Sequence, residues 1–184
     1  MVRLIITTSR HSTPPVRRLA KELARVLFSA KKVNRGGMSY IELFELARGM
    51  RAKRVVIIGK GIGGNPGRIL FMDCTKDKLE FFPFIIHLRG VIFSEVKSFR
   101  NPNNIVPVMC YLKEDEVCEE IAFALDIPYL GVFEKEVFSS FDRVMLVEPV
   151  KKKNLGYVVK FIEKKGEVGP KLLILRVIFR KIEV

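Results

Sequence analysis

Apolar residues along this chain come in short runs and in helical stripes, and the two patterns alternate. Leu4, Ile5 and Ile6 are consecutive and lead into Thr7, Thr8 and Ser9, which predicts a buried strand entering a polar loop. Pro14 and Pro15 punctuate that loop, with Ser12 or Thr13 as N-cap of a helix from about Pro15 to about Phe28. On that helix Val16, Leu19, Ala20, Leu23, Val26 and Leu27 fall on one side, while Arg17, Arg18, Lys21 and Arg25 gather on the other. A second helix is predicted from Ser39, its N-cap, to about Met50, followed by strands from Arg54 to Ile58, Arg68 to Met72 and Lys78 to Leu88. The Asn- and Pro-rich stretch from Ser98 to Asn104 reads as a join. Beyond it come a strand (about Ile105 to Tyr111), a helix (about Glu114 to Leu125) and a last strand from Leu172 to Phe179.

The spacing repeats. Arg54-Val-Val-Ile-Ile-Gly and Gly67-Arg-Ile-Leu-Phe-Met begin thirteen residues apart, and so do Arg143-Val-Met-Leu-Val-Glu and Gly156-Tyr-Val-Val-Lys-Phe. Each pair leads into a longer apolar strand, and the second half opens, like the first, with a strand and a helix. The pattern predicts a duplicated strand-helix-strand-strand-strand unit. The fold class expected is therefore α/β, with two tandem, similar halves (1–100 and 101–184), each a small mixed sheet with flanking helices.

Charge separates the halves. Between residues 1 and 60 there are fourteen Lys and Arg against three acids, so +11 of the net +13 lies there. Such asymmetry points to a polyanionic partner. The first helix carries the cations at the place where the second-half helix carries Glu114, Asp115, Glu116, Glu119 and Glu120. A basic helix face is often only solvated, but here acids able to form i,i+4 pairs are nearly absent, and four like charges on one face repel. A counter-charge from outside removes that cost. Lys31, Lys32 and Arg35 follow the helix beside the turn Gly36-Gly37, and Arg10 stands at the end of the first strand. Lys151, Lys152 and Lys153, with Lys164 and Lys165, form a smaller basic patch or merely a solvating loop.

Other chemistry is sparse. Gly59-Lys60-Gly61-Ile62-Gly63-Gly64 matches the dinucleotide fingerprint formally, but Asn65-Pro66-Gly67 and another strand follow where a helix is needed. A glycine-rich hairpin between Arg54 to Gly59 and Arg68 to Asp73 is expected instead, with Lys60 and Arg68 able to touch a phosphate backbone. Ser9 and His11 are neighbours without a carboxylate to orient the imidazole, and His87 sits in an apolar run. Asp73 and Asp77 are near enough to share a metal, or are ordinary turn residues. No catalytic residue, metal ligand or cofactor is assigned, and no enzyme is read. Cys74, Cys110 and Cys118 are odd in number and lack a C-x-x-C pair, so free thiols in a reducing compartment are expected. The apolar run from Phe81 to Phe93 is interrupted by Pro83, His87 and Arg89, and too few apolar residues follow Arg3 for a signal peptide. A soluble intracellular protein is expected, and the absence of Gln and Trp beside abundant Lys, Arg and Glu leans towards a thermophilic source.

Ile5-Ile6-Thr7-Thr8-Ser9-Arg10, a basic helix and then Asn34-Arg35-Gly36-Gly37 together resemble the opening of the Brix domain, a family of ribosome-biogenesis proteins. Gly63-Gly64-Asn65-Pro66-Gly67 and Glu167-Val168-Gly169-Pro170-Lys171 support the resemblance, which covers almost the whole chain. The chain lacks the long insertions and charged tails of many eukaryotic members and looks like the minimal archaeal form. The resemblance implies a single domain, 1–184, of two tandem units similar to the anticodon-binding domain of class IIa aminoacyl-tRNA synthetases. It implies a non-catalytic factor that binds precursor ribosomal RNA and assists its folding, located in the cytoplasm of an archaeon or the nucleolus of a eukaryote. The residues expected to hold RNA are Arg10, Arg17, Arg18, Lys21, Arg25, Lys31, Lys32, Arg35 and Lys60. Two readings stand beside this one: a protein-assembly module docking other biogenesis factors, and a nucleotide-dependent enzyme using the glycine loop.

Overall fold

Leu4–Thr8 (β1) is buried along its whole length and pairs in parallel with Ala30–Lys32 (β2) on one side and Arg54–Lys60 (β3) on the other. Parallel neighbours need crossovers, and helices supply them. Pro14–Val26 (α1) connects β1 to β2, and Tyr40–Gly49 (α2) connects β2 to β3. The computed structural model describes residues 2–95, 99–152 and 155–182. Ser98 and Lys153 lie outside the described residues.

The helix termini follow from local chemistry. α1 opens on Pro14 and Pro15, so two N–H groups that would point unpaired from its first turn do not exist. Thr13 occupies the N-cap position without capping, and its hydroxyl donates instead to the carbonyl of Gly64. Leu27 is already extended, so α1 stops short of the expected Phe28. α2 carries a complete capping box: the Glu42 N–H donates to the Ser39 hydroxyl at 3.2 Å, and the Ser39 N–H donates to the Glu42 carboxylate at 2.7 Å.

β3 turns back into Pro66–Asp73 (β4) as the expected antiparallel hairpin. Its loop contains one three-residue 3-10 turn, Ile62–Gly64, followed directly by β4 rather than by a helix. Such a turn is too short to aim a row of N–H groups at a pyrophosphate. The glycines have a steric purpose here, since a Cβ on Gly67 would lie 2.4 Å from the Gly61 Cα. The next expected strand, Lys78 to Leu88, is broken. Glu80–Phe81 (β5) pairs only with β4, and Phe84–Ile92 (β6) begins after Pro83, whose ring nitrogen cannot donate to a ladder.

The remaining elements are Val108–Cys110 (β7), Glu116–Leu125 (α3), Tyr129–Val132 (β8), Lys135–Ser139 (α4), Arg143–Lys152 (β9), Leu155–Glu163 (β10) and Gly166–Phe179 (β11). The result is a mixed α/β structure on one large sheet, ordered β2-β1-β3-β4-β6-β11-β10-β9-β7-β8. Read inward from either edge, pairing is parallel twice and then antiparallel twice, until β6 and β11 meet antiparallel in the middle. β2, β8 and α4 were not legible in the pattern, because segments of three to five residues carry too little periodicity.

Helices α1 and α3 pack on one face of the sheet and share one core, in which Leu23 and Leu27 meet Ile121 and Leu125 over Phe71 and Leu172. On the other face α2 covers one end through Leu43, Phe44 and Ala47, and α4 lies over Met109, Val144 and Leu146 at the opposite end. Cys110 and Cys118 are fully buried and joined in a disulfide between β7 and α3, which corrects the expectation of three free thiols; Cys74 is free. The pairing was hidden because the two cysteines stand eight positions apart in sequence, and only the return of α3 over β7 brings them together. No helix among the described residues is long and apolar enough to cross a membrane.

Candidate nucleic-acid interface

The apolar side of α1 fixes where its cations point. Val16, Leu19, Ala20 and Leu23 are buried, so Arg17, Arg18 and Lys21 are exposed and Arg25 is half-buried. Across from them lies the segment after β6, and between the two is an open cleft of about 720 Å³. Arg17, Arg18, Lys21, Arg25 and Lys32 line it on one side, with Phe93, Ser94, Glu95 and Phe99 on the other.

Two contacts hold α1 in place. A Cβ added at Gly169, the fourth residue of β11, would lie 2.2 Å from the Val26 Cγ1, so strand and helix touch through backbone and methyl. Arg143, 1% exposed, donates to the carbonyls of Arg25 (3.2 Å) and Val26 (3.0 Å) at the end of α1, and to that of Arg100 (2.8 Å). A guanidinium there satisfies carbonyls that have no helical partner and complements the negative end of the helix dipole. Glu163 balances its charge, accepting from the Arg143 Nε at 3.0 Å.

Within the cleft, Arg18 is the most constrained cation. Its Nε donates to Glu22 at 2.7 Å, its Nη2 donates to the Ser94 carbonyl at 3.1 Å, and its guanidinium lies 4.4 Å from the Phe93 ring centroid. The expectation that acids able to form i,i+4 pairs are nearly absent from α1 has an exception in Arg18–Glu22. Glu22 is buried and takes Arg18 as that partner, while Arg17, Lys21 and Arg25 remain a like-charged series.

The other expected contacts are dispersed. Arg35 is 5% exposed: its Nε donates to the Met38 carbonyl at 3.0 Å and its guanidinium sits 4.3 Å from the Tyr40 ring centroid, so it shapes the turn before α2 instead of facing solvent. Lys31 and Lys32 are consecutive in β2 and point to opposite faces, Lys32 alongside Ile6 towards α1 and Lys31 alongside Ile5 towards the α2 side. Arg10 is exposed and reaches the Met38 carbonyl at 3.4 Å, away from the cleft lining. Lys60 is exposed at the end of β3, in the hairpin that Thr13 ties to the start of α1. Lys151 and Lys152 belong to β9 rather than to a loop.

Phe93 and Phe99 were missed from sequence because nothing periodic marks them. Phe93 precedes the join and Phe99 lies within it, and only the chain path brings them opposite α1. Asp73, read as a metal candidate or a turn residue, accepts from Arg54 and from the Thr75 hydroxyl, each at 2.7 Å. Among the described residues no group of three or more His, Cys, Asp or Glu could hold a metal ion.

No protein-family model matches the sequence. The chain is 28% identical over 178 residues, 95% of its length and 93% of the other's, to a probable Brix domain-containing ribosomal biogenesis protein of Pyrobaculum aerophilum. It is 32% identical over 102 residues, 55% of its length and 57% of the other's, to a protein of the same description from Methanococcus maripaludis. Its fold matches the crystal structure of a probable ribosomal biogenesis protein from Aeropyrum pernix K1 with a TM-score of 0.74 at 24% identity, covering 95% of this chain and 96% of that one. The chain is thus similar to probable Brix domain-containing ribosomal biogenesis proteins, the family that its opening residues resemble.

Proposed function

We propose that this protein is a non-catalytic ribosome-biogenesis factor of the cytoplasm that binds precursor ribosomal RNA through the cleft beside α1. The observation that carries the reading is the convergence of Arg17, Arg18, Lys21, Arg25 and Lys32 on one concave surface, in a chain similar to ribosomal biogenesis proteins. Phosphates would supply the counter-charge that Arg17, Lys21 and Arg25 do not find among the ion pairs of the described residues, with Lys60 on the neighbouring hairpin as a peripheral contact. Arg10 and Lys31 would add only long-range attraction, and Arg35 acts by shaping its turn. We read the domain as two tandem halves, 1–100 and 101–184, of the kind found in anticodon-binding domains. The mirrored strand order on either side of β6 and β11 supports that division. A second reading, docking of another assembly protein, draws support from α3, where Phe123 is 65% exposed on a helix with acidic residues.

Salt dependence tests the RNA reading. Log affinity for a single-stranded RNA should fall with log salt at a slope of about −0.7 per phosphate neutralised. Replacing Arg17, Lys21 and Arg25 by Gln should flatten the slope and weaken binding while the fold survives, because these side chains lie opposite the packed face of α1. Unchanged affinity and slope in that variant would assign RNA binding, if present, to another surface.

A further inference from the structure

Arg18 differs from the other cations of the cleft in what it has left to offer. Its edge is largely committed, Nε to Glu22 and Nη2 to the Ser94 carbonyl. One flat face lies on Phe93, yet 52% of the side-chain surface stays exposed. Phe93 itself packs against the main core, so the stack is backed by rigid structure. Glu22 adds to the restraint: one carboxylate oxygen accepts from Arg18, and the carboxylate is itself held in a buried position on α1. A guanidinium held flat, with its outer face open to a cleft of about 720 Å³, is a poor free phosphate ligand and a good surface for a π-system.

We propose that the cleft is a single-strand subsite, in which one unpaired RNA base stacks on the outer face of Arg18 while Arg17, Lys21, Arg25 and Lys32 hold the flanking phosphates. This rests on the RNA reading above and narrows it. Bases in a duplex are stacked on each other and cannot enter a concave site, whereas a splayed base in a loop or end can. Stacking is tolerant of base identity because every base has a π-face, so the subsite selects unpaired RNA rather than a sequence.

The test uses the full chain and a short unstructured oligoribonucleotide carrying one 2-aminopurine, free or annealed to its complement. The single strand should bind about tenfold more tightly than the duplex at equal salt, with quenching of the 2-aminopurine on binding. Arg18→Lys keeps a cation for Glu22, so the fold is preserved, but removes the planar surface. It should abolish the quenching and reduce the single-strand preference to near one, with the salt slope unchanged. Arg18→Lys binding and quenching like the wild type would overturn the proposal. Equal wild-type affinity for strand and duplex, with a steep salt slope, would overturn it while leaving the electrostatic reading intact. Absence of salt-dependent RNA binding would remove both.

Discussion

Helices α1 and α3 stand at matching places near the two ends of one sheet, each joining a pair of parallel strands, and they treat charge in opposite ways. α3 begins with Asp115, whose carboxylate accepts from the Val117 N–H, and has Glu116 and Glu119 in its first turn. Those acids are where the positive end of a helix favours them. α1 begins with two prolines, has no acid in its first turn, and places Arg17 and Arg18 in its N-terminal half and Lys21 just past its middle. Charge on α3 is explained by the helix that carries it, whereas on α1 Arg17 and Arg18 run against the helix dipole and Arg25, in the last turn, follows it. That a local rule is broken on α1 and kept on α3 is what the proposed RNA surface accounts for.

The helix ends differ as well, though each is held by cations from the other end of the sheet. Arg143 of β9 docks under α1, and Arg3 and Lys53 reach Asp126 after α3 at 2.5 and 3.2 Å. Burial raises the Asp126 pKa, but the hydrogen bonds and charges of Arg3 and Lys53 outweigh it and hold the carboxyl below its ordinary value. Arg143 is buried and these partners are partly exposed, so the largest effect is expected on the α1 side. Arg143→Met should destabilise by about 3–5 kcal/mol, because Glu163 and several carbonyls lose their donor together. That corresponds to a melting temperature roughly 10 °C lower or more. Asp126→Asn should cost about 1 kcal/mol or less through solvent-screened pairs. Equal losses in thermal unfolding would show that the two anchors are energetically alike and would break this part of the comparison.

The halves also differ in thiol chemistry. Cys110 and Cys118 close a short loop in the second half, and the first half holds only the free Cys74. Reduction of the disulfide should cost about 2.5 kcal/mol by the chain-entropy relation for so short a loop. Burial pushes the Cys74 thiol up to about 12, so it should resist alkylation in the folded protein at mildly alkaline pH. Under non-reducing conditions, unfolding should release a single thiol, and reduction two more. Three thiols reacting in unreduced, unfolded protein would show that the disulfide is not formed.

Regular elements with long periodic runs were legible in sequence, and geometry created by tertiary approach was not. The apolar stripe of α1, the Ser39 capping signal and the hairpin β3–β4 appear as expected, since each depends on residues close in sequence. The cleft was only half visible. Arg17, Arg18, Lys21 and Arg25 follow from helical spacing, whereas Phe93 and Phe99 join them through the path of the chain after β6. Arg35 misled because a buried arginine and an exposed one have the same sequence signature, and only its stacking on Tyr40 distinguishes them. Lys31 misled because the three-residue β2 was unseen, and strand alternation turns it away from Lys32.

The claim that α1 is locally mismatched and α3 matched can be tested without any ligand. Replacing Arg17 and Lys21 by Gln, with Arg25 kept in the last turn where the helix dipole favours it, removes like charges spaced i,i+4 and should leave stability unchanged or raise it by a few tenths of a kcal/mol. Replacing Glu116 and Glu119 by Gln removes favourable charges from the start of α3 and should lower stability by about 0.3–1 kcal/mol for each. Urea unfolding at low salt reads both. Loss of stability in the α1 variant would mean that its cations are satisfied within the fold, and the comparison would lose its functional meaning.

The smallest expected effect lies at the seam between the two ends of the sheet. His87 of β6 stands in register between Arg68 of β4 and Arg176 of β11, half-buried on the face away from α1 and α3. Burial, and then the charges of Arg176 and Arg68, lower its pKa below the ordinary 6.5. The unfolded chain therefore binds this proton at higher pH than the folded one, so stability rises with pH from the folded pKa up to about 6.5. Acidification through the same window should lose that contribution, as a charged imidazole is pressed between two guanidinium groups. His87→Gln should remove this part of the pH dependence and leave stability at pH 8 nearly unchanged, read from urea midpoints across the window. The effect is small because the site is only partly buried and water screens the repulsion. A pH profile identical in His87→Gln would show that His87 does not sense Arg68 and Arg176 across the seam. A steeper acid loss in the wild type alone would make His87 a reporter of how closely β4, β6 and β11 are held together.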